Sequence, residues 1–499
     1  MAELEMLADL YLQADSYVPA LETIQRLLAL PQARSLSGSR RGALEAKAIS
    51  CRIAQGDCSA ALAHCREALR DERQIDSLAV RALLHLRCAE ALSTLGRLEE
   101  SRAQTEEGLG LADRAQDTAL SAQALNLLGR LCYREGDQLR SRDYYEQALA
   151  LFRRIGDEVS CARVHNNLGL IHKNQCEWDA AVAHLKGALE SYRRLGRLAE
   201  TGGPLLNLGI VYQKSGEWDR ALDQYLQAES VDLQVGDHLA VCRVAIGMGN
   251  IARLQRRMTD AESILLGALE RARSHDARRE EVLALEFLGE LDFDRGRPED
   301  ALRRYDDALV LAERVAPEGD LVVEIERRRG ETLGALGRLD DAASACERSR
   351  RLARLTDDRL EHAVSHRVAG DIAWSRGQQG EALQSWTIAA SLLSECRERH
   401  ELGKTLLTLG RTTRDPRDAR RYLYRASALF AELESQYWLD LAERELQRLI
   451  GDSPVDVATA KAAGIACAAV RGGYAAPGAL EKAGPEYLLD GLEGLLELL

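Results

Sequence analysis

The sequence contains 499 residues with a formal net charge of −13, and 46% of its residues are hydrophobic while 29% are charged. This composition is typical of a soluble folded protein, and the acidic balance argues against general affinity for nucleic acids. No run of about 18 apolar residues is present, which argues against a membrane span, and the acidic start Met1–Glu5 lacks a signal-peptide core, so we expect a cytoplasmic location.

A motif repeats along most of the chain with a period of about 40 residues. Asn167-Leu168-Gly169 returns as Asn207-Leu208-Gly209 and, in looser form, as Gly247-Met248-Gly249. Self-similarity at such a period indicates a repeat protein. The position of the last glycine in this motif defines eleven units, at Ala8, Ile49, Ala89, Gly129, Gly169, Gly209, Gly249, Gly289, Gly330, Gly370 and Gly410.

Each unit predicts two helices joined by a tight turn. A second glycine, such as Gly216, follows the first by seven residues, and glycine adopts a left-handed turn at the lowest cost. Small residues recur after it, Ala221 and Ala228 in the unit of Gly209, with apolar residues at helical spacing between them. Neither helix can bury its apolar stripe alone, so the units must stack. The pattern predicts an all-α solenoid of about eleven helix-turn-helix repeats over residues 1–449.

The residues Leu208, Gly209, Tyr212, Ala221 and Ala228 resemble the defining positions of the tetratricopeptide repeat. The period of about 40 residues exceeds the usual value of about 34 and is similar to that of the long-repeat branch of the family, found in animal adaptor proteins and bacterial regulators. The resemblance implies a right-handed superhelix. It also implies a scaffold without enzyme activity that binds a peptide or partner helix in its concave groove, as a docking or sensory region in bacterial signalling.

In that family the first helix of each unit lines the groove, and the ligand-facing positions lie at fixed distances from the glycine. Applied to this sequence, the register implies a basic stripe in the central units, followed by acidic units. The implied partner is a protein or peptide, and the basic stripe suits an acidic one; the alternative is that these arginines are solvated. The implied groove residues are Asn126, Arg130, Tyr133, Arg163, Asn166, Lys173, Gln213, Arg243, Asn250 and Arg253.

The period stops before residues 450–499, a segment richer in glycine, alanine and valine. Its GDxxxD loop, Gly451 to Asp456, and the sequence after it resemble the last third of a haloacid-dehalogenase-like phosphatase of the phosphoglycolate-phosphatase type. In that family the two loop aspartates hold Mg²⁺, an ion that prefers carboxylate oxygen. The resemblance implies a weak candidate metal site at Asp452 and Asp456.

This tail lacks the DxDGT motif that carries the nucleophile in the same family. The look-alike Asp292-Phe293-Asp294 falls within a predicted repeat helix and has no threonine. We therefore predict a small α/β appendage over residues 450–499, without phosphatase activity and without a bound cofactor. The alternative is a phosphatase half-domain completed in trans by another chain.

For three further patterns, a structural interpretation is favoured over a functional site. The sequence does not indicate the oligomeric state. His362 and His366 have the spacing of a metal-binding pair, but no third ligand is evident. The arginine runs 327–329 and 348–351 are predicted to be solvated helix faces. Cysteines spaced seven residues apart are predicted to be small buried residues at helix contacts, at Cys51, Cys58 and Cys65.

Overall fold

The computed structural model describes residues 1–14, 16–70, 72–450, 468–470 and 487–489. Up to residue 450 the described chain contains 23 α-helices joined by short turns and three short 3₁₀ helices. The predicted helical class is therefore confirmed for this part. None of the described helices is long and apolar enough to cross a membrane.

The helices follow one another as consecutive pairs in chain order. The first eight are α1 (Ala2–Gln13), α2 (Tyr17–Ala29), α3 (Gly38–Ala54), α4 (Cys58–Ala68), α5 (Leu78–Thr94), α6 (Leu98–Arg114), α7 (Thr118–Arg134) and α8 (Gln138–Ile155). The next eight are α9 (Glu158–Asn174), α10 (Trp178–Arg194), α11 (Gly202–Lys214), α12 (Trp218–Val235), α13 (His238–Leu254), α14 (Met258–Ser274), α15 (Arg278–Asp294) and α16 (Pro298–Val315). The last seven are α17 (Asp320–Ala335), α18 (Leu339–Leu355), α19 (Arg359–Ser375), α20 (Gln379–Glu395), α21 (Arg399–Thr412), α22 (Pro416–Glu432) and α23 (Gln436–Ile450).

Small residues allow the two helices of a pair to approach closely. In the pair α11 and α12, a Cβ added to Gly209 would lie 2.3 Å from Cε1 of Tyr225, so only glycine fits beneath that ring. Ala221 and Ala228 on α12 are fully buried. The repeated glycine thus marks the place where a large side chain of the second helix crosses the first.

A glycine followed by an aspartate connects one pair to the next. Gly236 ends α12 in the left-handed conformation, with φ of 74°, and Gly156 ends α8 in the same way. The carboxylate of Asp237 then accepts hydrogen bonds from the backbone N–H groups of Leu239 (3.1 Å) and Ala240 (2.9 Å). This dipeptide therefore stops one helix and caps the next.

The chain divides into two compact units. The first unit comprises Met1–Ile171 and Ala183–Arg197, and the second comprises His172–Val182 and Leu198–Leu499. Each has apolar clusters of its own, for example around Tyr145 in the first unit and around Tyr305 in the second. The boundary predicted at residue 450 stays a prediction.

Within the second unit, turns that are far apart in the sequence meet. The indole N–H of Trp178 donates a hydrogen bond of 2.7 Å to the carbonyl of Cys396, a residue 218 positions later in the chain. The guanidinium of Arg256 lies 3.9 Å from the ring centre of Tyr437. A Cβ on Gly216 would lie 2.4 Å from Leu433. The early repeats of this unit thus close onto its last helices.

Two short strands are described in the C-terminal tail. β1 (Ala468–Val470) pairs in parallel with β2 (Tyr487–Leu489), with Ala468 opposite Tyr487. The α/β appendage as a whole stays a prediction. Asp452 and Asp456 lie outside the described residues.

Candidate functional site

A polar cleft of about 270 Å³ lies inside the second unit. Most of its walls come from the first helices of successive pairs, α11, α13, α15, α17, α19 and α21. Three of the ten groove residues implied by the sequence line it, Gln213, Asn250 and Arg253. We call this space the inner cleft; its other lining residues include Trp218, Arg256, Phe287, Glu290, Phe293, Asp294, Glu324, Arg327, Arg328, Glu331, Glu398, His400, Glu401, Lys404 and Trp438.

Arg253, which the sequence analysis assigned to ligand binding, lines this cleft and is already paired with acidic residues of the protein. Nη1 of Arg253 donates to Asp294 at 2.6 Å, its Nε donates to the Asn250 side chain at 3.1 Å, and its Nη2 forms an ion pair with Glu290. Both acids belong to α15, one repeat further along the chain. All three guanidinium nitrogens of Arg253 are therefore engaged within the fold.

Two more arginines bridge neighbouring repeats in the same way. Nη1 of Arg328 lies 2.5 Å from Oε1 of Glu286, and its Nε donates to Glu290 at 2.5 Å. The three nitrogens of Arg367 donate to carboxylates on three different helices, to Glu401 of α21 at 2.7 Å and, at 2.9 Å each, to Glu331 of α17 and Asp371 of α19.

The sequence-based interpretation of the run 327–329 as a solvated face is wrong for its first two members. Arg327 and Arg328 are only 6% and 7% exposed. They are buried because α15 and α19 supply acids that neutralise them: Nε of Arg327 donates to Glu361 at 2.7 Å, and Arg328 contacts Glu286. A buried charge is tolerated only with such partners.

Burial and neighbouring charges shift the pKa values of several carboxyl groups in this network. Burial raises the pKa of Glu286 well above its ordinary value, although Arg328 acts in the opposite direction. Burial acts to raise the pKa of Glu290 as well, but Arg253 and Arg328 outweigh it and lower that pKa to about 2. Burial and the neighbouring arginines thus shift the pKa values of these two carboxyl groups of α15 in opposite directions.

One end of the inner cleft is aromatic. The ring of His400 makes edge contacts with Trp218 and Trp438, at centroid distances of 6.1 and 6.0 Å. Burial, together with Lys404, lowers the pKa of His400 to about 3, so this ring is neutral. Beside it, burial and the carboxylate of Glu401 raise the pKa of Glu398 to about 8.

The implied groove residues of the first unit lie on α7 and α9 and have different surroundings. Arg130 and Arg163 are exposed, and neither forms an ion pair with any residue that the structure describes. Asn126, Tyr133 and Asn166 are half-buried near them in the sequence register. These five residues, which we call the basic face, combine unengaged cations with side-chain amides.

The second unit also contains the implied groove residues Lys173, Arg243 and Gln213, of which Gln213 lines the inner cleft. Burial and the nearby charge of Lys214 lower the pKa of Lys173 to about 8. Arg243 is exposed, and its Nη1 lies 3.6 Å from Glu280. Gln213 accepts a hydrogen bond of 3.0 Å from the Tyr225 hydroxyl. Their roles in ligand binding stay predictions.

Other candidate sites have structural partners. His362 and His366 lie edge to face with centroids 5.0 Å apart, and no cluster of three metal-ligating side chains occurs among the described residues. Asp292 is buried and pairs with Arg304 at 2.5 Å, and Asp294 pairs with Arg253. These two aspartates therefore serve the ion-pair network of the repeats.

Comparison with known proteins agrees with this architecture. Tetratricopeptide-repeat family models match residues 122–154 and residues 160–234. These two segments are tetratricopeptide repeats. All five residues of the basic face lie within these two segments.

The C-terminal region has a separate likeness. A family model described as HAD-hydrolase-like matches residues 434–495. The plasmid-encoded phosphoglycolate phosphatase of Cupriavidus necator is 55% identical over 51 residues, which are 10% of this chain and 22% of that protein. The chain thus spans about a fifth of the length of this relative, and the tail is a haloacid-dehalogenase-like fragment.

Two solved structures have similar folds at low sequence identity. The Rap conjugation gene regulator of plasmid pLS20, in complex with the Phr* peptide, is 16% identical, covers 70% of this chain and 95% of its own, and has a TM-score of 0.50. A Rap protein complexed with Competence and Sporulation Factor is 14% identical, covers 82% and 98%, and has a TM-score of 0.42. The first likeness shows a shared helical-repeat fold.

Proposed function

We propose that this protein is a non-enzymatic scaffold that binds an acidic, extended or helical peptide on the basic face of its first unit. The observation that carries the proposal is the contrast between two sets of arginines. Arg253, Arg328 and Arg367 form ion pairs with acids of the fold, whereas Arg130 and Arg163 are exposed and have no acidic partner among the described residues. Unengaged cations are available for a ligand carboxylate.

Side-chain amides on the same face suit the backbone of such a peptide. The side-chain oxygen of Asn126 already accepts one hydrogen bond, of 3.5 Å, from the side-chain amide of Asn167. Its own amide group carries two donors, and an asparagine side chain can pair with a peptide group in both directions. We assign Asn126 and Asn166 to the ligand backbone and Tyr133 to its apolar side chains.

The proposal extends to the repeat array as a whole. We assign all consecutive helix pairs from α1 to α22 to eleven repeats of the long tetratricopeptide type, with Lys173, Gln213, Arg243 and Asn250 as further ligand contacts. A docking or sensory role in signalling is supported at the level of fold by the Rap regulator, whose structure contains a bound peptide. We place Arg253 in the supporting network instead of the contact surface.

Affinity capture with charge-reversed variants tests this function. The full chain is used to capture partners, and the captured proteins are then tested with Arg130→Glu/Arg163→Glu, which we expect to lose them. The matched control is Arg140→Glu/Arg220→Glu, because these two arginines are exposed on second helices, with side chains 74% and 69% accessible. Equal capture by both double variants would refute the basic face as the binding site.

A second candidate function rests on the tail, which is 55% identical to part of a phosphoglycolate phosphatase. A phosphatase half-domain would need its nucleophile from another chain. We propose that the isolated chain has no phosphatase activity, because the tail corresponds to the last part of that family and no DxDGT motif is present in the sequence. Hydrolysis of a generic phosphate ester that requires Mg²⁺ and is lost in Asp452→Ala would contradict this.

A further inference from the structure

Two cysteines lie where the early and late repeats of the second unit meet. Cys176 occupies the turn between α9 and α10, and Cys396 directly follows α20. Each thiol is the largest influence on the pKa of the other: Cys396 raises the pKa of Cys176, and Cys176 lowers the pKa of Cys396. The surrounding contacts join the same two turns: the Trp178 indole donates to the Cys396 carbonyl at 2.7 Å, and Arg397 pairs with Asp179 at 2.8 Å.

The backbone at Cys176 is unusual for this residue type. The equivalent turn position in neighbouring repeats is Gly136 or Gly216, both with positive φ. Cys176 adopts φ of 59° there, a conformation that costs a non-glycine residue energy. Arg256, at the equivalent position of a later repeat, also has a positive φ, of 62°. Both exceptions to glycine lie where distant parts of the unit meet, since Arg256 stacks on Tyr437 and the turn of Cys176 lies beside Cys396.

We propose that Cys176 and Cys396 form a reversible disulfide, with hydrogen peroxide as the oxidant, and that this bond locks the contact between the two turns. The inference is independent of peptide binding by the first unit. The disulfide would affect the inner cleft, because Glu398 and His400, which line that space, lie two and four residues after Cys396. Oxidation would therefore fix one wall of the cleft.

The chemistry is a two-electron oxidation of two thiols. The Cys396 thiolate attacks one peroxide oxygen, the O–O bond breaks, hydroxide leaves and a sulfenic acid forms. The Cys176 sulfur then attacks the Cys396 sulfur, the S–O bond breaks, and the hydroxyl leaves with the Cys176 proton as water. In total, two thiols and one peroxide give one disulfide and two waters, and a dithiol reductant reverses the reaction.

The surroundings make Cys396 the attacking residue. The Cys176 thiol lowers the pKa of Cys396; burial opposes this shift, and Arg359 supports it. Arg359 is placed beside the pair, since its Nη1 donates to the carbonyl of Gln175 at 3.5 Å. Both cysteines are at most 5% exposed, which favours a small oxidant over a bulky disulfide.

A second thiol pair in the first unit provides an internal comparison. Cys65 on α4 and Cys88 on α5 also shift each other's pKa, but they belong to one apolar cluster of adjacent helices. A bond between them would join helices that already pack together. Of these two pairs, Cys176 and Cys396 is the one that would connect distant repeats.

The test is peptide mapping of the full chain after mild peroxide treatment. The oxidised protein is alkylated, digested without reduction and analysed by mass spectrometry, and its thermal unfolding is recorded in parallel. We expect a linked peptide containing Cys176 and Cys396 that dithiothreitol removes, together with a higher unfolding temperature. The link and the temperature shift should vanish in Cys396→Ser and in Cys176→Gly, whose glycine suits the positive φ, and persist in Cys88→Ser.

Two results would overturn the proposal. The first is recovery of Cys176 and Cys396 as alkylated free thiols after a treatment that oxidises the half-exposed Cys161. The second is a disulfide that forms without a stabilising effect. In that case the oxidised wild-type chain and Cys176→Gly, treated in the same way, would have the same unfolding temperature, and the bond would not lock the contact.

Discussion

Replacing Arg367 by methionine tests the buried ion-pair network most sharply. This arginine is 4% exposed and binds Glu331, Asp371 and Glu401 from its own and both adjacent helix pairs. Removing one partner of a buried charge network leaves uncompensated charge and costs about 3–5 kcal/mol. We therefore expect Arg367→Met to lower the free energy of unfolding by about that amount, measured by urea denaturation followed by circular dichroism.

The control is an exposed pair of the same chemistry. Arg338 pairs with Asp341 at 2.7 Å, but the side chains are 56% and 58% accessible, so Arg338→Met should cost less than about 1 kcal/mol. Neutralising the acids at the same time, with Glu331→Gln and Glu401→Gln, should recover much of the loss in Arg367→Met. Equal effects of the two arginine substitutions would refute the reasoning.

Two further predictions concern packing and pH. Ala228→Leu should lower the free energy of unfolding by on the order of 1–3 kcal/mol, because the larger side chain overpacks α11 and α12. The exposed control Ser230→Leu should have little effect. Equal denaturation midpoints of the two variants would contradict the repeat register. Because the pKa of Glu398 is raised to about 8 in the folded state, its contribution to stability is present in acid and is lost as the pH rises through about 8. In Glu398→Gln, the decline in unfolding free energy between acidic and alkaline pH should therefore be smaller by about 2–4 kcal/mol. The control is Glu270→Gln, at an exposed position. Identical pH profiles of the two variants would contradict the prediction.

The helical part of the fold could be predicted because its causes are local. The glycine at the middle of most first helices and the alanines of the second helix act within one pair, as Gly209 does beneath Tyr225. The glycine–aspartate connection acts between consecutive pairs, as at Gly236 and Asp237. Their repetition at a constant period made the interpretation secure. The family matches to residues 122–154 and 160–234 agree with that register.

The burial of arginine could not be predicted from local pattern alone. Arg327 and Arg367 each lie three residues before the repeat glycine. Apart from Asp371, one helical turn from Arg367, their hydrogen-bonded acidic partners lie 34 to 36 residues away, in the adjacent repeat. A sequence signal does exist, since Arg327 and Arg367 occupy the same position of their repeats, and their partners Glu361 and Glu401 both lie nine residues before the glycine of the following repeat. It becomes visible only when the repeats are aligned with each other and read across the stack.

The closure of the second unit left no periodic signal. Trp178 and Cys396 are 218 residues apart, and their contact depends on the cumulative curvature of several repeats. Small rotations between neighbouring repeats add up over such a distance, and no local residue pattern fixes their sum. The inner cleft and the cysteine pair could therefore be found only from the structure.

The most direct test of the central claim is the affinity of the captured acidic peptide for the wild-type chain and for Arg130→Glu/Arg163→Glu, titrated by calorimetry at low and at physiological salt. Contacts between exposed arginines and carboxylates weaken as salt is added. We predict that the double reversal weakens binding by about 10- to 100-fold and removes most of its salt dependence, since tenfold corresponds to about 1.4 kcal/mol. An unchanged affinity, or wild-type binding that is indifferent to salt, would contradict the account.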